Sequence, residues 1–165
     1  MFAVLIYIAA IVAANLTVAE FGPWFSPINA FFLIGLDLTL RDHLHDQWRG
    51  AALWPRMLGM ILVAGALSYF LNPATGVIAV ASVVAFCAAA LVDAVVYQAA
   101  SKRSFMQRAN ASNAAGALVD SIIFPTIAFG GFLPQIVAMQ FAAKVAGGFV
   151  WAWVIWRFKQ KTVPQ

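Results

Sequence analysis

The sequence is poor in charged residues and in the side chains that build catalytic and metal sites. Only 10% of its 165 residues are Asp, Glu, Lys or Arg, and it contains two histidines and one cysteine. Soluble domains carry about 25% charged residues, so a soluble globular fold is excluded. The single cysteine, Cys87, supplies neither a disulfide nor a thiolate metal framework. We therefore expect no metal site and no cofactor.

Apolar residues take the place of the missing charge. They make up 64% of the chain, and the mean hydropathy is +0.88. Six apolar segments are long enough to cross the roughly 30 Å hydrocarbon core of a bilayer as helices. We predict an all-α polytopic membrane protein with six transmembrane helices in one domain, and we expect the first helix to be retained in the mature protein. The domain covers residues 1–165, and the predicted spans are about 2–19, 27–44, 51–71, 76–100, 111–131 and 135–157.

Lysine and arginine alternate between the predicted loops. Neither occurs in the loops after the first, third and fifth spans, whereas the loops after the second and fourth spans and the C-terminal tail are basic. Because basic loops stay in the cytoplasm, both termini are expected there. The same distribution accounts for the net charge of +4. A lipid bilayer is therefore the expected surrounding, and no nucleic-acid partner is expected.

One predicted span carries a carboxylate near its middle. The segment RANASNAAGALVDSIIFPTIAFGG, residues 108–131, contains Asp120. An ionised Asp at the centre of a span costs about 2.5 to 3.5 kcal/mol on insertion scales, so it must face protein, water or a ligand. Residues three or four apart on a helix share a face. The face of Asp120 also holds Asn113, Gly116, Ala117, Ser121 and Phe124, and we predict that it lines a cavity.

Three further ionisable residues, Asp37, Asp93 and Lys144, lie in other predicted spans. Lys144 is too deep to reach the membrane surface, so we predict a carboxylate partner for it, Asp120 first and Asp93 second. A purely structural ion pair is the alternative. Asp37 could likewise pair with Arg41, four residues further along the helix.

Other polar and aromatic residues share faces with these groups. Asn15, near the outer end of the first span, is expected either to bond another helix or to contact a ligand. Tyr97 lies one turn from Asp93 and could satisfy that carboxylate or contact a ligand. Gln140 and Trp151 lie on the same face of the last span as Lys144.

Small residues predict close helix packing in two places. Gly147 and Gly148 lie in the last span, and the first span has two overlapping pairs of alanines four residues apart. The alanines favour packing within the chain or, alternatively, a docking face for a partner subunit. They are Ala9, Ala10, Ala13 and Ala14.

The loop after the second span superficially suggests a metal site. His43 and His45 alternate there with Asp42 and Asp46. Residues two apart on a helix point to different faces, so an interfacial polar cluster is expected instead of a metal centre.

Several of these stretches resemble one known family. The runs NAFFLIGLDLTLRDHLHDQW, ALVDAVVY and QFAAKVAGG, with the segment at 108–131, are similar to the VUT family of small six-helix membrane proteins, the queuosine precursor transporters. The most specific parts are the carboxylate-bearing second helix and the Arg-x-Asn-x-Ser-Asn entry to the fifth helix, followed by Asp-x-x-x-Phe. The resemblance implies uptake of a 7-deazaguanine, such as 7-cyano-7-deazaguanine or its aminomethyl form, across the inner membrane for queuosine synthesis in tRNA.

The residues can be compared with the chemistry of that solute. A carboxylate accepts two hydrogen bonds from the N1–H and amine edge of a guanine-like ring, an amide or ammonium group donates to its carbonyl, and aromatic side chains cover its faces. The candidate substrate-binding residues are Asp120, Asn113, Asp93, Lys144, Asn15, Asp37, Phe124, Tyr97, Gln140 and Trp151.

Other functions are weighed against transport of a planar deazapurine. Small size and six spans also fit the substrate-binding subunit (S-component) of an energy-coupling-factor transporter for a vitamin or nucleobase. An intramembrane enzyme is disfavoured because no Ser/His pair or phosphate loop lies within the spans, and a structural scaffold would not need the buried charges. The chain has no nucleotide-binding domain, so it does not use ATP directly. Proton coupling and a homo-oligomeric state are left open.

Overall fold

The computed structural model describes residues 2–37, 53–103 and 105–162, together with Leu40, Leu44 and Trp48. Within these residues the chain is all-α. Helix α2 begins as an α-helix, continues as a π-helix and returns to α-helical geometry at residues 35–37. The helices are α1 (Phe2–Phe21), α2 (Ser26–Asn29, then the π-helical Ala30–Ile34 and residues 35–37), α3 (Leu53–Leu71), α4 (Gly76–Ala99), α5 (Phe105–Ala128) and α6 (Pro134–Thr162).

Proline and glycine determine where several helices begin. Pro23 and Pro73 each open a short 3₁₀ turn, and Pro134 is the first residue of α6. Proline is favoured at the first helical position because its missing N–H would be unpaired there in any case. The Asn72 side chain accepts a hydrogen bond from the Ala74 N–H at 3.0 Å, and Gly22 has φ 76°. These short turns reverse the chain between α1 and α2 and between α3 and α4.

The chain is a polytopic membrane protein. Four of its described helices are long and apolar enough to cross a bilayer: Phe2–Phe21, Trp54–Leu71, Pro73–Ala99 and Asn110–Ala128. Helix α6 has 29 residues, which at 1.5 Å per residue is about 43 Å and exceeds the hydrocarbon core. Large apolar side chains such as Phe70 and Phe149 are 81% and 77% exposed. On a membrane protein this outward apolar surface contacts lipid.

Two groups of helix contacts hold the bundle together. Helix α4 packs most extensively on α5, where Gly116 leaves room for Ala89 and Asp93. Helix α1 packs on α2, α3 and α4. An apolar core lies between α1, α3 and the described part of the chain after α2. Its buried members are Tyr7, Ile11, Leu40, Leu44, Met57, Met60, Ile61 and Ala64.

Helices α2 and α6 touch through their backbones. A Cβ atom built on Gly147 would lie 2.2 Å from the Phe31 carbonyl oxygen, and one built on Gly35 would lie 2.7 Å from the Gly147 carbonyl carbon. Cβ atoms do not approach other atoms so closely, so both positions require glycine. The close packing predicted for Gly147 is confirmed. A Cβ on Gly148 would have nothing within 4 Å, so the same prediction is wrong for Gly148.

The alanines of α1 divide between the interior and the surface. Ala10 and Ala14 are buried inside the bundle, Ala13 is half-buried and Ala9 is exposed. The pair Ala10 and Ala14 therefore serves packing within the chain. The predicted pairing of Asp37 with Arg41 and the polar cluster of residues 42–46 involve positions outside the described residues.

Candidate functional site

A cavity lies inside the bundle, and residues of all six described helices line it. Counting the space at its open mouth, its volume is about 640 Å³. Its wall is mostly apolar with a few converging polar groups. The lining residues are Tyr7, Ile11, Ala14, Asn15, Val18, Ser26, Asn29, Ala30, Ile34, Asp37, Ile61, Ser82, Phe86, Asp120, Phe124, Gln140 and Lys144.

An ion pair between α5 and α6 forms the charged centre of this wall. The Lys144 Nζ donates to Asp120 Oδ2, to Ser121 Oγ at 3.2 Å and to Gln140 Oε1 at 3.3 Å. An ammonium group has three hydrogens, so all three are used. Lys144 is 3% exposed, whereas the Asp120 side chain is 25% exposed. The carboxylate therefore keeps acceptor capacity toward the cavity, and the predicted partner of Lys144 is confirmed.

A chain of hydrogen bonds extends from this ion pair to the start of α2. Gln140 accepts from Lys144 and donates through Nε2 to Ser26 Oγ at 2.8 Å. The Ser26 hydroxyl donates in turn to the Pro23 carbonyl at 2.7 Å. Because an amide nitrogen carries two hydrogens, Gln140 has a second N–H left at the cavity wall. This chain fixes the first turn of α2 against α6 at one depth.

Asn15 connects three helices beside the cavity. Its Nδ2 donates to Ser68 Oγ on α3 at 3.1 Å, and its Oδ1 accepts from Ser82 Oγ on α4 at 2.9 Å. The Ser68 hydroxyl donates in turn to the Ala64 carbonyl at 2.8 Å. The expected bond of Asn15 to another helix is therefore confirmed, and Asn15 also lines the cavity. Contact with a ligand stays a prediction.

Asn29, on the first turn of α2, is bound to α1. Its Nδ2 donates to the Ala14 carbonyl at 3.1 Å and to Thr17 Oγ1 at 2.8 Å. The side chain is almost completely buried and lines the cavity. Its amide hydrogens are thereby committed to α1.

Three aromatic side chains complete the wall. Phe124 comes from the predicted face of α5, whereas Tyr7 of α1 and Phe86 of α4 were not predicted. Phe124 also packs edge-on against Phe129, with ring centroids 6.2 Å apart. These rings supply flat apolar surface beside the ion pair.

A second cavity of about 360 Å³ adjoins the first. Both are lined by Ile34, Asp37, Phe86, Asp120 and Lys144. The second continues between α4 and α5 past Ala89, Gly116 and Ala117. The ionisable groups of α2, α5 and α6 therefore lie where the two spaces meet.

The structure brings six of the ten candidate residues to the first cavity and leaves four outside both. Those at the cavity are Asn15, Asp37, Asp120, Phe124, Gln140 and Lys144. Those outside both cavities are Asp93, Tyr97, Asn113 and Trp151.

The four residues outside the cavities lie toward other parts of the bundle. Asn113 is exposed although it shares a helix face with Asp120, because it lies two turns nearer the start of α5. Asp93 is half-buried against Gly116. Its Oδ1 is buried and accepts no hydrogen bond from the described residues. The structure therefore groups Asp120 with Lys144 and Gln140 instead of with Asn113.

Five polar or aromatic lining residues were not identified as candidates from the sequence: Tyr7, Ser26, Asn29, Ser82 and Phe86. Asn29 could have been identified from the sequence, because an amide inside an apolar span needs a hydrogen-bond partner, as Asn15 does. Ser26 and Ser82 gave little signal, since a serine can satisfy itself on its own helix. Aromatic rings are common throughout this chain, so sequence alone did not distinguish Tyr7 and Phe86.

The cavity can bind a flat polar molecule. It offers the carboxylate of Asp120 as an acceptor, an N–H of Gln140 as a donor and aromatic rings as apolar walls. Within the described residues, no cluster of His, Cys, Asp and Glu could hold a metal ion. The residues on the wall offer a bound molecule hydrogen bonds and apolar contact.

Comparison with known proteins agrees with this arrangement of membrane helices around a polar cavity. Comparisons with curated protein sequences and with solved structures found no match. Residues 1–158, nearly the whole chain, match the family described as "Putative vitamin uptake transporter". A transporter needs no catalytic residues. It needs a cavity that can hold a solute, and the buried cavity with its charged and amide groups meets this need. The chain belongs to this vitamin uptake transporter family of multi-pass membrane proteins.

Proposed function

We propose that the protein imports a queuosine precursor, a 7-deazaguanine such as 7-cyano-7-deazaguanine or its aminomethyl form, across the inner membrane, with both termini in the cytoplasm. The observation that carries the proposal is the partly exposed carboxylate of Asp120, which lies in a predicted membrane span and lines the cavity. A carboxylate kept at this depth is costly, and in transporters such groups mark the solute pathway.

The polar groups around Asp120 match one edge of a guanine-like ring. That edge presents two donors, the N1–H and the exocyclic amine, next to a carbonyl acceptor. Asp120 accepts from the two donors, and the remaining N–H of Gln140 donates to the carbonyl. Lys144 does not donate directly, because its three hydrogens are held by Asp120, Ser121 and Gln140. Its role is to hold the carboxylate in place on the cavity wall.

The apolar part of the cavity suits the faces of a bicyclic heterocycle. Phe124, Phe86 and Tyr7 lie on the wall beside the ion pair, and aromatic rings stack favourably on a flat heterocycle.

A binding measurement with purified protein tests the proposal. The panel is guanine, 7-cyano-7-deazaguanine, its aminomethyl form and queuine, with adenine as a control whose edge offers a donor where guanine has its carbonyl. We expect the deazaguanines to bind at least tenfold more tightly than adenine, because mispairing buried polar groups costs about 1 to 3 kcal/mol. Equal affinity across the panel, or no binding, would refute the proposal.

The alternative, an S-component of an energy-coupling-factor transporter, predicts a different requirement. An S-component binds its solute alone but transports it only with its scaffold and ATPase subunits. Transport by the purified chain in liposomes excludes this alternative, and co-purification with those subunits would support it. Ala10 and Ala14 are buried inside the bundle. They are therefore not part of an α1 surface on which another subunit could dock.

A further inference from the structure

Asn29 presents a fixed hydrogen-bond acceptor to the cavity. Its neighbours determine which end of the amide faces them. The Ala14 carbonyl can only accept, and the Thr17 hydroxyl gives its hydrogen to the Ala13 carbonyl at 2.6 Å, so both must accept from the Asn29 nitrogen. With both amide hydrogens used, only the Asn29 carbonyl oxygen remains. No hydrogen bond to it is formed within the part of the chain that the structure describes.

Asn29 is only 5% exposed, and its side chain lines the cavity. A ligand that donates to this carbonyl oxygen from the cavity gains a hydrogen bond there. A ligand that instead presents an acceptor or an apolar group at this point is penalised. The geometry therefore provides selectivity for a donor.

Asn29 lies at the depth of the ion pair. On α2 and α6, Ser26 bonds to Gln140, and Phe31 contacts Gly147 further along. Residue numbers rise from the first contact to the second on both helices, so α2 and α6 run in the same direction. Asn29 on α2 and Lys144 on α6 each lie between the two contacts.

The two groups are carried by different helices around the cavity. Asn29 is on α2, which is bound to α1 and also packs on α6, whereas Asp120 is on α5 and is bound to Lys144 of α6. Both side chains line the same cavity. A bound molecule that carries donors on two of its edges can therefore reach both acceptors.

We propose that Asn29 is a specificity-determining residue that accepts a hydrogen bond from the pyrrole N–H on the five-membered ring of the solute while Asp120 accepts from the opposite edge. The inference rests on the proposed transport of a deazaguanine and defines which form is taken. In a nucleoside the sugar replaces this hydrogen. Asn29 therefore selects the free base over the nucleoside.

The test compares three ligands on the purified protein: 7-cyano-7-deazaguanine, its derivative methylated on the pyrrole nitrogen, and the analogue with a ring oxygen in place of that N–H. The oxygen analogue keeps the size of the parent and places an acceptor against Asn29. We expect the wild-type protein to bind the parent about ten- to a hundredfold more tightly than either derivative. Equal affinity for the parent and the oxygen analogue would overturn the inference, and this comparison needs no variant.

Two variants assign the preference to Asn29. In Asn29→Ala the preference for the parent is expected to fall to about threefold or less, because the acceptor is gone. Asn113→Ala is the matched control, since Asn113 is exposed and lines neither cavity, and it is expected to keep the preference. An unchanged preference in Asn29→Ala would overturn the inference, because a structural role alone weakens all three ligands equally.

Failure of the inference is distinguishable from failure of the proposed function. If the wild-type protein binds none of the ligands, the proposed function and this inference both fail. If it binds the parent and Asn29→Ala keeps the wild-type preference, only the inference fails. Asn29→Ser, whose hydroxyl can still donate to the Ala14 carbonyl, replaces Asn29→Ala if that variant does not accumulate, and loss of the preference is expected there too.

Discussion

At the scale of single residues, the ion pair was found from the sequence, whereas the neutral residue Asn29 was not. Lys144 and Asp120 stand out because a charge inside an apolar span has few tolerable positions, and the structure pairs them. Asn29 is as well buried, but its role depends on the position of Ala14 and Thr17 on another helix. Contacts between helices are not visible in the sequence of one helix, which also explains why Asn113 was expected beside Asp120.

Replacing Asp120 and Asp93 in turn compares a carboxylate on the cavity wall with one outside both cavities. Asp120→Asn is expected to lower the affinity for 7-cyano-7-deazaguanine by about ten- to a hundredfold, because it removes a charged acceptor from the cavity. Asp93→Asn is the matched control, since Asp93 lines neither cavity, and it is expected to leave the affinity unchanged. Calorimetric titration of purified protein measures both. The reverse order of effects would move the binding site to Asp93.

Loss of the carboxylate also affects stability. Asp120→Asn leaves the buried Lys144 ammonium without its counter-charge, which is expected to cost about 3 to 5 kcal/mol. Adding Lys144→Met removes the unpaired charge, so the double variant is expected to recover thermal stability in detergent without recovering binding. If the double variant binds as well as wild type, the ion pair is structural and contacts no solute.

At the scale of helices, the sequence and the structure agree on which helices exist and differ in where the helices begin and in their local geometry. Apolar length predicts the helices, and helix α5 begins six residues before its predicted span of 111–131, at Phe105. The π-helical stretch Ala30–Ile34 was not predicted, because its sequence AFFLI has the same composition as ordinary helix. It coincides with the contact of α2 on α6, and π-helical turns are frequent at functional sites.

The contact between α2 and α6 gives a prediction with a control one residue away. Gly147→Ala would place a methyl group 2.2 Å from the Phe31 carbonyl oxygen, so the helices must separate, at an expected cost of about 1 to 3 kcal/mol. The separation would also displace Asn29 from Lys144 and weaken solute binding. Gly148→Ala meets nothing within 4 Å and is expected to behave as wild type. Thermal unfolding in detergent compares the two, and equal melting temperatures would contradict the close contact.

At the scale of the whole molecule, the proposed orientation can be tested with single cysteines. In a Cys87→Ala background, Asn72→Cys lies in the turn between α3 and α4, and Ser101→Cys lies between α4 and α5. Since Lys102 and Arg103 follow Ser101, the positive-inside rule puts it in the cytoplasm. A membrane-impermeant maleimide should label Asn72→Cys in intact cells and Ser101→Cys only after permeabilisation. The opposite pattern would invert the topology.

The most direct test of the account is uptake of labelled 7-cyano-7-deazaguanine into liposomes that contain only this purified chain. The account predicts accumulation above protein-free liposomes, strong reduction by Asp120→Asn, and wild-type uptake by Asp93→Asn. No accumulation above protein-free liposomes, or equal uptake by wild type and Asp120→Asn, would contradict the claim that the ion-paired cavity carries a deazaguanine across the membrane.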